Sequence, residues 1–160
     1  MQEITIQAIQ PGESSLVRRL IIENWGSERV IIHDAEYFPH ELPGLIARRG
    51  GTIVGLLTYR LEYHACEIVT LNSFLPHIGV GRSLLDAVRE LARQAGCVRI
   101  WLVTTNDNLS ALGFYQHYGF SLYALHCGAV SRSRQIKPEI PLVGENGIPI
   151  RDELELEIWI

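Results

Sequence analysis

Five residues, Ile78-Gly79-Val80-Gly81-Arg82, constrain this chain more than any other stretch. They stand between an apolar run, Cys66 to Phe74, and a helical pattern in which Leu84, Leu85, Val88, Leu91, Ala92 and Ala95 share one face. Arg82, Asp86, Arg89, Glu90 and Arg93 fall mostly on the other face, and Gly96 supplies the stop. A second apolar run, Val98 to Val103, follows and reads as a buried strand parallel to the first. Strand, glycine turn, helix, strand makes a right-handed crossover. Glycines at the helix start let backbone amides face outward, where the helix dipole favours an anion. The turn lacks the third glycine and downstream acid of a dinucleotide fingerprint, and no Gly-Lys-Ser/Thr completes a P-loop. By itself it is equally a tight turn shaped by packing.

The flanking elements are read from periodicity. Ile4, Ile6 and Ala8 alternate with Thr5 and Gln7 over Glu3 to Gln10, a half-buried strand that Pro11-Gly12 ends. Ser14 or Ser15 caps a helix carrying Leu16, Leu20, Ile21 and Trp25 on one side. Between Glu28 and Pro43 no element is assigned, because Pro39 and Pro43 break any long one. Leu45 to Arg49 and Thr52 to Tyr63 form a hairpin through Gly50-Gly51, and the Cys66 run completes an antiparallel meander. A helix is expected from Asn108 to His117, capped by Asp107 or Asn106 and ended at Gly119, then a strand from Phe120 to Ala129. Leu154, Leu156, Ile158 and Ile160 alternate with Glu153, Glu155, Glu157 and Trp159 as a last strand. The glutamate row reads as the solvated face of an edge strand, an arrangement that permits a homodimer without demanding one. Lys137-Pro138, Ile140-Pro141 and Ile148-Pro149 make the segment before it a long irregular connection.

With 160 residues the chain fits a single domain, 1–160, able to bury about 70% of its unfolded surface without disulfides or metal. Fourteen Lys and Arg against 18 Asp and Glu leave a net charge of -4, which disfavours a nucleic-acid binder. No apolar run approaches the roughly 20 residues that span a bilayer. The start, Met1-Gln2-Glu3-Ile4-Thr5, lacks the regions of a signal peptide, so a cytoplasmic protein with reduced thiols is expected. Cys66, Cys97 and Cys127 are read as buried, inert thiols. The six histidines have no companions at zinc-site spacing, and no metal is expected.

One strand beyond the glycine turn, the chain runs Asn108-Leu109-Ser110-Ala111-Leu112-Gly113-Phe114-Tyr115-Gln116-His117-Tyr118-Gly119-Phe120. Asn-x-x-Ala-x-x-Phe-Tyr-x-x-x-Gly-Phe after a Gly-x-Gly helix start resembles the GNAT superfamily of acetyl-CoA-dependent N-acetyltransferases. Element order extends the likeness over most of the chain. The resemblance implies an α/β (α+β) fold with a mixed, mostly antiparallel central sheet. Its central strand pair is parallel and splayed near Asn72-Ser73 and Thr104-Thr105, with helices on the flanks. It implies acetyl-CoA as co-substrate, its pyrophosphate held by His77, Ile78, Gly79, Val80, Gly81 and Arg82, and its pantetheine arm paired with Val69, Thr70 and Leu71. Asn108 would hydrogen-bond that arm, and Tyr115 would protonate the departing thiolate. Pro76 and His77 depart from the family pattern, in which Arg or Gln and then Gly or a basic residue are usual; this shifts phosphate binding onto Arg82 and the amides after Ile78.

Those residue types suit the chemistry. An alkylammonium, with a pKa near 10.4, must lose a proton before its nitrogen attacks a thioester. A thiolate of pKa about 8.5 gains from a phenol that stays protonated at neutral pH. Glu67 matches a position where some members carry a base; a solvent-facing strand-end glutamate is the competing reading. Glu62, His64, Asp34 or a water relay are alternatives, whereas Val103 closes the position other members use on the next strand. Without the motif, Tyr115 reads as a buried helix aromatic and Asn108 as a helix cap. Trp25, Tyr37, Tyr59 and Tyr63 offer aromatic walls for an acceptor, and Asp34, Glu36, Glu62 and Glu67 offer negative charge. The expected partner is a small-molecule amine, with no nucleic acid and no membrane. A protein N-terminus or lysine is a second acceptor class. A CoA-binding sensor without turnover is the rival, and a purely structural domain would make both motifs coincidence.

Overall fold

The computed structural model describes residues 2–160. Its elements run β1 (Ile4–Ala8), α1 (Ser14–Trp25), β2 (Val30–Ile32), β3 (Ala35–Tyr37), β4 (Gly44–Arg49), β5 (Thr52–Glu62), β6 (Ala65–Ser73), α2 (Val80–Gln94), β7 (Arg99–Thr105), α3 (Leu109–Tyr118), β8 (Ser121–His126), α4 (Ala129–Ile136) and β9 (Glu153–Trp159). They form two compact units. The first holds the chain up to Arg29, then Phe38–Ile100 and Ile160; the second holds Val30–Tyr37 and Trp101–Trp159. No helix of the described residues is long and apolar enough to cross a membrane.

In the first unit the strands lie in the order β1-β4-β5-β6, each pair antiparallel. Gly50 and Gly51, at φ 57° and 80°, make the expected two-residue turn between β4 and β5. Successive residues of β5 face opposite sides of the sheet. Leu56 joins Val17 and Ile21 of α1 and Ile46 of β4 in a buried cluster. Gly55, facing the other way, lies under α2: a Cβ there would strike Val80 and stand 3.0 Å from the carbonyl oxygen of Asn72. The two helices thus cover opposite faces, and glycine alone permits α2 to settle this close to the strand. The helix buries Val80, Leu84, Leu85, Val88 and Ala92, the larger of which contribute about 1.5–3 kcal/mol each.

In the second unit β9 lies between β7 and β8, and β8 pairs with β9 antiparallel. Leu102, Tyr115, Phe120, Val130, Ile150 and Leu156 are buried there. Asn106 fixes the approach to β9: its Oδ1 accepts the amides of Arg151 (2.9 Å) and Asp152 (3.0 Å), and its Nδ2 donates to the carbonyl of Pro149 (2.9 Å).

Several sequence expectations are corrected. Neither Ser14 nor Ser15 caps α1; Pro11–Glu13 form a 3-10 turn in which the Gln10 amide donates to Glu13 Oε2 at 2.9 Å, and Ser14 donates to the carbonyl of His40. The unassigned stretch contains the β2–β3 hairpin, which turns on His33 and Asp34 at φ 49° and 63°. Asn108, not Asp107 or Asn106, caps α3. The strand after Gly119 ends at His126, and α4 fills part of the supposed irregular connection; Arg134 of that helix donates to the carbonyls of Ile140, Pro141 and Ile150. β9 is not an edge, so its glutamates are not a solvated row: Glu153 is buried, and the edge strand beside it is β8, with Leu122, Tyr123 and Leu125 exposed. Cys66 and Cys97 are buried, and burial pushes the Cys66 thiol up to about 12, which makes it inert. Cys127 is exposed, because it follows the end of an edge strand.

Candidate active site

The turn between β6 and α2 leaves backbone amides uncapped at a helix start. His77 and Gly79 both take left-handed backbone, φ 63° and 85°, on either side of Ile78. Such alternation curls successive amides around a concave space. The first intrahelical bond of α2 runs from Ser83 N–H to the carbonyl of Gly79 at 2.9 Å, so the amides of Gly79, Val80 and Gly81 precede the helical ladder. No side chain caps this end and no acidic residue occupies its first turn. The position of a Cβ on Gly79 meets nothing within 4 Å, which leaves the backbone open to a ligand. A cavity of about 620 Å³ adjoins the turn, lined by Gln2, Glu3, Ile4, Arg49, His77, Ile78 and Ser83. Arg49 was not singled out from sequence; its only signal is a basic residue directly before the Gly50-Gly51 turn.

β6 is bulged where the resemblance places the cofactor arm. Thr58 pairs with Thr70 but Tyr59 with Ile68, so Val69 is the extra residue. The hydroxyls of Thr58 and Thr70 lie 2.6 Å apart in the interior, which leaves the backbone of Val69 to Leu71, not the Thr70 side chain, to meet a ligand. Glu67 stands opposite Arg60, and its Oε2 accepts from Arg60 Nη1 at 2.9 Å while Arg60 Nη2 reaches Glu62 at the same distance. Glu67 is only 3% exposed. The solvent-facing reading is therefore replaced by a buried carboxylate held by a guanidinium. Trp25 Nε1 donates to Asn72 Oδ1 at 2.9 Å, tying the end of α1 to the end of β6. Tyr59 is buried, whereas Tyr63 is 91% exposed on the β5–β6 turn and walls nothing.

The second unit carries the other two expected site residues. Asn108 Oδ1 accepts the amide of Ala111 at 3.4 Å, and its Nδ2 donates to Thr104 Oγ1 at 3.3 Å. Both bonds are long, so exchange for a ligand group costs little. Tyr115 is buried with ring centroids 5.3 Å from Phe114 and 5.6 Å from Phe120. Burial pushes its phenol above the ordinary tyrosine range. Asp34, on the β2–β3 turn, is within 3.6 Å of Arg132.

Residues 11–120 match the acetyltransferase (GNAT) family. The chain belongs to that family. Acetyl transfer, the family's general reaction, comes with membership. This GNAT chain is 44% identical to the Bacillus subtilis (strain 168) protein YxbD over 142 residues, 88% of this chain and 89% of that one. Its fold is shared with an IAA acetyltransferase from Bacillus cereus, at a TM-score of 0.70 and 21% identity over 99% of this chain and 100% of the other. A GNAT family acetyltransferase from Elizabethkingia anophelis, solved with acetyl-CoA bound, has a TM-score of 0.68 and 20% identity over 98% of both chains. The fold class is thus the expected one, a mostly antiparallel sheet containing one parallel pair, flanked by helices.

Proposed function

We propose that residues 1–160 form one acetyltransferase domain that moves the acetyl group of acetyl-CoA to a primary amine of a small molecule or amino acid, by direct attack in a ternary complex. The reading is carried by the left-handed turn at His77 and Gly79 before the uncapped start of α2. A diphosphate seated there takes the amides of His77, Ile78, Gly79, Val80 and Gly81, with Arg49 and Arg82 supplying positive charge. The pantetheine arm lies along the backbone of Val69, Thr70 and Leu71 and is hydrogen-bonded by Asn108. Acetyl-CoA bound to the Elizabethkingia relative supports the choice of co-substrate.

The acceptor ammonium gives its proton to Glu67, directly or through water. The freed nitrogen pair attacks the thioester carbonyl carbon and forms the C–N bond. An amide of the bulged strand near Leu71 donates to the resulting oxyanion. The C–S bond then breaks and the sulfur takes the phenolic hydrogen of Tyr115; the nitrogen gives up its second proton, which restores Tyr115 through water, and Glu67 releases the first to solvent. The products are an N-acetyl amide and the free CoA thiol. Arg60 keeps the Glu67 carboxylate oriented, and the carboxylates of Glu62 and Glu67 around it favour a cationic acceptor.

Acetyl-CoA at a hundredfold excess over its Kd stabilises the folded chain by about 2.7 kcal/mol, read as a rise in Tm. No rise at millimolar cofactor overturns the proposal. A thiol-release assay across small amines, amino acids and peptides is expected to give turnover with the first two. Turnover with peptides alone reassigns the acceptor to a protein N-terminus or lysine. Stabilisation without turnover on any amine leaves a CoA-binding sensor. In the same assay Glu67→Gln lowers kcat/KM by about 10²-fold; an unchanged rate gives the proton to water.

A further inference from the structure

The second unit gathers metal-ligating side chains that acyl transfer does not use. His33 lies on the β2–β3 turn, His126 at the end of β8, and Glu155 in β9. One ligand atom from each comes within 4.8 Å of the other two. His33 Nε2 is 3.8 Å from Glu155 Oε1, and the two imidazole centroids are 4.3 Å apart, edge to face. Both histidine Nε2 atoms are buried without a hydrogen-bond partner among the described residues. A buried polar atom left unpaired costs about 1–3 kcal/mol, so two in one place call for a common partner.

Glu153 explains which lone pair is offered. Its Oε2 is 3.5 Å from His33 Nδ1 and also accepts the His33 backbone amide at 3.3 Å. A carboxylate on Nδ1 holds the hydrogen there and turns the Nε2 lone pair toward His126 and Glu155. His33 keeps this placement at a φ of 49°, strain of order 1–3 kcal/mol that the surroundings must hold. The two imidazole nitrogens, borderline donors, suit zinc and its neighbours over calcium or magnesium, and one hard carboxylate beside them is common in zinc sites. Tetrahedral zinc with bonds of about 2.0–2.1 Å places its ligand atoms roughly 3.3 Å apart, so side-chain shifts of about an ångström close the cluster.

We propose that His33, His126 and Glu155 bind one divalent transition-metal ion, zinc foremost, with Glu153 as the positioning residue behind His33 and a fourth coordination position left to water or a ligand. The three ligands come from separate segments, which is why spacing in the sequence gave no metal signature.

Chelator-stripped protein titrated with Zn²⁺ by calorimetry is expected to take up one ion per chain. Co²⁺ is expected to give the visible bands of a four-coordinate nitrogen–oxygen site. His126→Gln and Glu155→Gln each weaken Zn²⁺ at least tenfold, and Glu153→Gln weakens it about 10–100-fold through His33. Cys127→Ser, the exposed thiol beside His126, leaves the affinity unchanged. Each variant's fold is checked by its metal-free Tm, and His33→Gln replaces any variant that does not fold. Absence of stoichiometric uptake by the unaltered chain, or uptake that survives the loss of His126 or His33, overturns the proposal.

Discussion

Tyr115→Phe lowers the rate of thiol release by about 10²–10⁴-fold and leaves acetyl-CoA affinity unchanged. Phenylalanine preserves the ring contacts with Phe114 and Phe120, so the fold and the start of α3 are undisturbed. What disappears is one hydrogen held where burial discourages its loss as a free proton. A phenol pushed above the ordinary range is a poor acid toward water, but it is a good donor to a sulfur gaining charge as the C–S bond opens. The direction of that shift fixes two pH effects. The wild-type rate shows no fall near pH 10 from ionisation of this group, because the folded phenol stays protonated beyond the unfolded value of about 10. Stability behaves oppositely: the contribution is fully present below about pH 10 and is lost as pH rises through the folded value, since the folded state there binds the proton that the unfolded state releases. Tyr115→Phe removes that alkaline loss. A variant with the wild-type rate takes Tyr115 out of the reaction.

The crossover around α2 was legible because its signals agree. Apolar period, glycine start and glycine stop all name the same helix, and the ends of α2 fall at Val80 and Gln94, between Gly79 and Gly96. The β2–β3 hairpin was not, because its turn takes left-handed backbone at His33 and Asp34 without a glycine to announce it. The same holds for Tyr63-His64, where only the long flanking strands gave the hairpin away. Helix α4 hid in Ser131-Arg132-Ser133-Arg134, a polar stretch whose helical state rests on what Arg134 and Val130 bind rather than on propensity. In β9 the alternation was read correctly but the strand's place was not. Period two assigns faces, and only pairing decides whether a face of glutamates meets water or a histidine such as His33. The same limit applies to Glu67, whose partner Arg60 lies across a hairpin with a bulge that composition does not reveal.

Gly79→Val weakens acetyl-CoA binding by about 10²–10⁴-fold. At φ 85° an L-residue carries a penalty of roughly 1–2 kcal/mol, and a β-branched one is worse placed still. The chain relieves it by rotating the peptide planes at residues 78–80, which turns their amides off the anion. Hydrogen bonds to a charged group contribute about 1.5–3 kcal/mol each, so losing two accounts for the expected range. The new side chain also fills the open space beside residue 79. Because that space is open, no buried neighbour is struck, and the loss of Tm stays near the backbone penalty alone. Gly79→Asn separates the two causes, since asparagine tolerates left-handed backbone but still brings a side chain. If Gly79→Asn binds as the wild type does and Gly79→Val does not, amide orientation is the cause; if both lose binding, blockage is. Wild-type affinity in Gly79→Val, measured by calorimetry with CoA, places the pyrophosphate elsewhere than this turn.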